Sequence, residues 1–199
     1  MKKYIDLSLR FVPENESAKV LKELGFSIVA VDQGGSYIKG EELVVVPRAT
    51  FVKPKEVSAI KGNVVRVYRV ENPRDLKITN QVKSRAHALE LGGSCLGRLG
   101  IKNLRKLSNA GIPIIVNSVE LFGRLLEGKP VAGFIDVLRL YIKGRISLVV
   151  GSGARSLREV KHPMTVVGLL VELGLDEGSA LSTLTTNPRY VVRRAGYVA

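Results

Sequence analysis

Residues 148–163, LVVGSGARSLREVKHP, pass from an apolar, strand-like run into a glycine-rich turn and then a basic stretch. Gly151, Ser152, Gly153 and Ala154 would offer backbone N–H groups and a hydroxyl to an anion, and the start of a following helix would add partial positive charge. Arg155, Arg158 and Lys161 bring full charges beside them, and an arginine fork matches phosphate oxygens in pairs. The same residues also suit an ordinary strand-to-helix turn with solvated arginines. Two further basic stripes stand out. In IKNLRKLSNAG, residues 101–111, helical spacing places Ile101, Leu104 and Leu107 on one side and Lys102, Arg105, Lys106 and Asn109 on another, with Arg98 just ahead. In VLRLYIK, Arg139 and Lys143 stand four apart around Tyr141, and VVRVYRVENPR carries Arg66, Tyr68 and Arg74. Such stripes grip a phosphate backbone without reading bases, so they imply affinity and salt dependence more than sequence specificity.

Residues for covalent or metal chemistry are few. His87 and His162 are the only histidines and neither belongs to an H-x-H or H-E-x-x-H pattern; His162 suits a helix entry before Pro163. Asp6, Asp32 and Glu90 lie on or at the ends of strand-like runs, and a barrel could gather them around a hard cation. Without histidine or cysteine partners that case is weak. A Walker A lysine, a nucleophile elbow and a dinucleotide fingerprint are all absent. The single cysteine, Cys95, excludes an internal disulfide and fits a reducing compartment.

Seven Val- and Ile-rich runs would have to position these residues: 4–9, 27–32, 43–51, 63–70, 86–91, 112–117 and 146–152. Segments with helical spacing separate most of them. One has Asn15 as N-cap and stops at Gly25, one opens at Pro73, and one ends on Gly111. Strand–helix alternation with strands apolar on both faces predicts a parallel sheet covered by helices, and the preferred arrangement is an imperfect, about seven-stranded TIM-like α/β barrel. Past the last strand the alternation stops. Ser156 and Glu159 have capping-box spacing, Pro163 opens a helix apolar nearly all round and therefore expected to be buried, Asp176 caps a second, and Asn187 with Pro188 caps a third. Without linker or repeat, residues 1–199 read as one domain, with extra C-terminal helices over about 156–196.

The 199 residues are 45% hydrophobic, enough for one sizeable core. No run approaches the roughly eighteen apolar residues that span a bilayer, and charges interrupt the N-terminal stretch where a signal peptide would need an apolar region, so a soluble cytoplasmic protein is expected. The net charge is +13. Residues 1–52 are neutral, with seven basic and seven acidic side chains, so the excess lies in the rest of the chain. A basic field of this kind points to a polyanion, with nucleic acid ahead of a membrane surface because no basic amphipathic terminal helix or lipidation motif accompanies it.

The C-terminal stretch ISLVVGSGARSLREVKHPMTVVGLLVELGLDEGSALSTLTTNPRYVVRRAG resembles the signature of ribonuclease P protein component 3, the archaeal counterpart of a thirty-kilodalton nuclear subunit. Ser152, Gly153, Ala154 and Arg155 match its strand end, Pro163 its proline, VVGLLVELGL its apolar helix, and Asn187 with Pro188 its final helix. The opening YIDLSL, followed by a helix and SIVAVD, is similar to the family's start, while the middle is similar only in layout. The resemblance implies a barrel related to the polymerase and histidinol phosphatase superfamily of metal-dependent phosphoesterases, serving as an RNA-binding, non-catalytic subunit. It implies partnership with ribonuclease P RNA, with protein component 2, and with precursor tRNA through the holoenzyme, whose RNA and Mg2+ would remove the 5′ leader. Tyr4-Ile5-Asp6-Leu7 lacks the H-x-H of the phosphoesterase relatives, so no cofactor is expected in this chain. The expected RNA-binding residues are Ser152, Gly153, Arg155, Arg158, Lys161, Arg139, Lys143, Arg98, Lys102, Arg105 and Lys106. Two other uses of the same residues are a barrel enzyme gripping a phosphorylated small molecule at 151–155, and a phosphoesterase built on Asp6, Asp32 and Glu90.

Overall fold

The computed structural model describes residues 3–32, 38–39 and 43–197. Its strands are β1 (Tyr4–Leu9), β2 (Phe26–Asp32), β3 (Ile38–Lys39), β4 (Val44–Phe51), β5 (Val65–Val70), β6 (Ala88–Leu91), β7 (Ile114–Asn117) and β8 (Leu148–Gly151). All but β3 are parallel, in the order β1-β2-β4-β5-β6-β7-β8, and the two-residue β3 adds antiparallel to β4. The seven long strands are those expected from the sequence, several trimmed at their N-terminal ends. The helices are α1 (Asn15–Glu23), α2 (Asn80–Arg85), α3 (Gly93–Gly97), α4 (Ile101–Ser108), α5 (Ser118–Leu126), α6 (Ala132–Ile142), α7 (Pro163–Glu172), α8 (Glu177–Ser182) and α9 (Thr186–Arg194).

Strand alternation sorts the core into two layers. Ile5, Leu7, Ile28, Ala30, Val46, Val65, Val67, Ala88, Ile115 and Val149 point into the barrel, where Val191, Val192 and Ala195 from the α9 region join them and close its N-terminal end. Val29, Leu89, Leu91, Ile114, Val116 and Leu148 face outward against the helices. Both faces of the strands are therefore buried, which is why they read as continuous apolar runs.

The barrel is nearly closed, and its seam is made without a strand ladder between β1 and β8. Toward the C-terminal ends of the strands, the Asp6 carboxylate accepts from the Ser152 N–H at 2.9 Å, the Ser8 hydroxyl accepts from the Gly153 N–H at 3.2 Å, and the Arg10 N–H donates to the Ala154 carbonyl at 2.8 Å. Toward the N-terminal ends, the turn after α8 intervenes: Ile5 N–H donates to Leu184 O and Val150 N–H to Thr183 O. These bonds satisfy backbone groups that an eighth strand would otherwise pair.

Several helix boundaries differ from the sequence expectation. Glu14 rather than Asn15 is the N-cap of α1. Pro73 opens only one 3-10 turn, and α2 starts seven residues later, where the Thr79 hydroxyl accepts from Val82 N–H. Ser156 and Glu159 do not form a capping box: the Glu159 carboxylate accepts instead from the Arg155 N–H at 2.8 Å, over a single 3-10 turn. Asp176 caps α8 as expected, whereas α9 begins at Thr186, so Asn187 lies inside it and donates to Leu148 O at 2.7 Å. Helix α7 buries one stripe, Pro163, Val166, Val167 and Leu170, and exposes Met164 and Val171; its apolar surround is not matched by burial all round. Among the described residues, no helix is long and apolar enough to cross a membrane.

Cys95 is fully buried on α3 with its Sγ toward Val70 O, and burial, reinforced by nearby Glu71, pushes the thiol up to about 12. Alkylation by iodoacetamide at pH 8 is expected to be at least about a hundredfold slower in the folded protein than in urea, because the thiolate is the reactive form. Equal rates would place the thiol at the surface.

Candidate nucleic-acid interface

In an α/β barrel, reactive groups gather at the C-terminal ends of the strands. Here the inward positions of that uppermost layer are polar: Asp32 on β2, Arg48 on β4, Arg69 on β5, Glu90 on β6 and Asn117 on β7. Arg10, just past β1, and Glu120, in the first turn of α5, complete the group. Glu90 is the hub. It is fully buried and accepts from Arg48, from Arg69, from Arg10 at 3.3 Å and from Asn117 at 3.0 Å. Arg48, likewise buried, donates also to Leu7 O at 2.8 Å and lies 3.3 Å from Asp32, whose other contact is the Thr50 hydroxyl at 2.6 Å. Glu120 accepts from Arg69 at 2.8 Å and Arg10 at 3.2 Å, and Arg69 also pairs with Glu71. Burial by itself would raise the Glu90 carboxyl, but Arg48 and Arg69 outweigh it and hold the group below the usual glutamate range.

Three guanidiniums thus face four carboxylates inside one network. The expectation that the barrel could gather Asp6, Asp32 and Glu90 around a cation is not met. Both oxygens of Glu90 are held by arginines, and Asp6 binds the N–H groups of Ser8 and Ser152 at the seam. Among the described residues, no group of three or more His, Cys, Asp or Glu is placed to hold a metal ion. The two histidines serve structure. His162 Nδ1 accepts from Met164 N–H at the start of α7, and His87 Nδ1 accepts from Arg66 N–H, its imidazole pushed down to about 4 by burial and then by Arg66 and Arg194.

The glycine turn after β8 requires a correction. An anion cradle needs free N–H groups, but those of Ser152, Gly153, Ala154 and Arg155 are engaged within the protein, Ser152 with Asp6, Gly153 with Ser8, Ala154 with the Ser152 hydroxyl at 3.0 Å and Arg155 with Glu159, and Gly151 is paired with Asn117 in the β7–β8 ladder. Ser152 and Gly153 are buried, so neither presents a free donor. The glycines are there for fit. Gly153 has φ +68°, and a Cβ on it would lie 2.7 Å from Asn117 Cβ, while a Cβ on Gly151 would run into the Ser8 side chain. What this segment leaves to solvent is its cations, Arg155, Arg158 and Lys161.

Of the two helical stripes, Arg98, Lys102 and Arg105 are exposed along α4 and the turn before it. Lys106 is not free, since its ammonium donates to Leu76 O at 2.8 Å. Helix α6 packs beside α3 and α4, and on it Arg139 is exposed, 3.3 Å from Asp136, with Lys143 exposed at its end. Tyr141 and Tyr68 do not join the stripes: Tyr141 donates to Ser179 O, and Tyr68 is buried and stacked on Phe51. The fold therefore sets the α4 and α6 cations on neighbouring helices and puts 155–161 at the C-terminal end of β8.

Sequence reasoning missed Arg48, Arg69, Arg10, Asn117 and Glu120. A signal for the first two was present, because each stands two residues beyond an inward valine, Val46 and Val67, in a strand pattern. An arginine at an inward position of a buried strand implies a buried counter-charge, although not which one.

No protein-family model and no curated protein matches the sequence. The fold does have solved counterparts. A chain of the cryo-EM structure of archaeal ribonuclease P with mature tRNA superposes with TM-score 0.74 at 16% identity, covering 97% of this chain and 91% of that one. A crystal structure of an uncharacterized protein superposes with TM-score 0.67 at 10% identity, covering 100% of this chain and 76% of that one.

Proposed function

We propose that the chain is a protein subunit of a ribonuclease P ribonucleoprotein, a single barrel domain that binds the catalytic RNA and leaves the chemistry to it. The observation that carries this reading is the state of the barrel mouth. Where a barrel enzyme keeps its reactive groups, this chain has acids and arginines spent on one another, while exposed cations line its outside. The shared fold with a chain of archaeal ribonuclease P, over nearly the whole length of both, supports the reading independently. Neutralising phosphates would let the RNA fold and hold Mg2+ and precursor tRNA at physiological salt, with protein component 2 as the partner protein and the cytoplasm as the compartment.

Reconstitution tests it. Adding the protein, with and without component 2, to ribonuclease P RNA is expected to raise precursor-tRNA cleavage and to extend it to salt concentrations at which the RNA alone is slow. No stimulation at any salt would overturn the reading. Within it, Arg155→Ala is expected to weaken RNA binding and lower the slope of log affinity against log salt by about one unit, the loss of one phosphate contact. An unchanged slope with intact folding removes Arg155 from the interface.

A further inference from the structure

Several basic segments meet at the end of the barrel away from the mouth. Residues 61–66, 109–113, 143–147 and 185–197 contain no aspartate or glutamate, and they carry Lys61, Arg66, Lys143, Arg145, Arg189 and Arg194 among their cations. The fold gathers these segments. The first three immediately precede or enter β5, β7 and β8, and α9 lies across the same end, tied down by Asn187 to Leu148 O and by Tyr197 to Asn63 O. His87, at the start of β6, feels both Arg66 and Arg194.

This surface has a shaped feature. A groove of about 390 Å³ runs between the turns before β7 and β8 and helix α9, lined by Gly111, Pro113, Gly144, Arg145 and Tyr190. Gly111 and Gly144 leave its rim without side chains, and a Cβ on either would meet nothing within 4 Å. Tyr190 lines the groove while 55% exposed, and the Arg194 guanidinium carbon lies 5.8 Å from its centroid. An exposed ring beside arginines at the edge of a groove is the combination by which proteins hold unpaired RNA: the ring stacks a base and the cations take the flanking phosphates.

We infer that the N-terminal end of the barrel binds an unpaired stretch of RNA, one base stacking on Tyr190 in the groove and the adjoining phosphates resting on Arg145, Arg189 and Arg194. The inference rests on the proposed RNA-binding function and deepens it, by naming the end of the barrel and the single-stranded form of the RNA.

The test uses the full chain and fluorescence anisotropy with a labelled, unstructured RNA of about ten nucleotides, within the span of single-strand binding sites. Tyr190→Ala and Arg145→Ala are each expected to weaken binding about tenfold, while Tyr190→Phe, which keeps the ring, binds as wild type. A duplex of the same length is expected to be insensitive to Tyr190→Ala, since its bases are not available to stack. The paired control Lys102→Ala/Arg105→Ala alters α4 on the barrel flank. If that control loses affinity while Tyr190→Ala and Arg145→Ala retain it, the surface is wrong and the RNA-binding reading stands. If the wild-type chain binds neither RNA and fails in reconstitution, both fall. Unaltered thermal midpoints exclude misfolding, as both side chains are exposed.

Discussion

Glu90→Ala is expected to destabilise the protein by about 3–5 kcal/mol, the cost of leaving a buried charge without its partner, or roughly 6–20 °C in Tm for a chain of this size. Arg48 is fully buried and takes its principal counter-charge from Glu90, while Arg69 and Arg10 converge on the same carboxylate. Removing it takes away the one carboxylate that all three guanidiniums share and leaves Arg48, itself fully buried, with Asp32 as its remaining ion-pair partner. Glu90→Gln keeps the shape and one acceptor but loses the charge and turns the other oxygen into a donor facing a guanidinium, so it removes the ion pairs without the cavity that alanine leaves. The pH dependence follows from the direction of the shift. A glutamate held below its ordinary 4.5 contributes stability that is fully present above that value and is lost as pH falls through the lower folded value. Acid unfolding followed by circular dichroism should therefore be less steep in Glu90→Gln. A Glu90→Ala midpoint within about 2 °C of wild type, less than 1 kcal/mol for a chain of this size, would show that the network contributes little.

The second large effect concerns the seam. Asp6→Ala removes the acceptor for two buried N–H groups, Ser8 and Ser152, and each orphaned donor costs about 1–3 kcal/mol, giving about 2–6 kcal/mol in all. Asp6→Asn retains a carbonyl oxygen for both donors and is expected to lose much less. Hydrogen exchange gives the local readout: the Ser152 and Gly153 amides, protected in the wild type, should exchange far faster in Asp6→Ala, with β5 and β6 little changed. The same pair of variants separates the structural role from a catalytic one. If the isolated protein hydrolysed a model phosphodiester with manganese, and Asp6→Asn abolished that activity while folding normally, Asp6 would be a ligand rather than a seam residue.

The strands were legible because each buries both faces, and a strand so placed must be a Val- and Ile-rich run bounded by turn residues. Most helix ends were legible to within a turn. The errors fell where a polar side chain had a second partner available: Glu159 takes the Arg155 N–H, one residue before Ser156, and Asn187 reaches across the chain to Leu148 instead of capping α9. The glycine turn shows the same competition on a larger scale. GSGAR has the composition of an anion cradle, and only the arrival of β1, more than a hundred residues away in sequence, shows that Asp6 and Ser8 are the acceptors for its N–H groups.

By itself the sequence determined the strand–helix alternation, the parallel α/β class, the excess of positive charge and the scarcity of groups for metal or nucleophilic chemistry, because these depend on residue type and on spacing within one element. The tertiary structure decided which charges are spent and which are free. Barrel closure brings Arg48, Arg69 and Glu90 from three strands into mutual contact and leaves Arg145 exposed at the opposite end. A charge buried with a partner and a charge facing water are the same letter in a sequence. Their difference is desolvation and Coulomb interaction over a few ångströms, and those distances exist only once the chain has closed on itself.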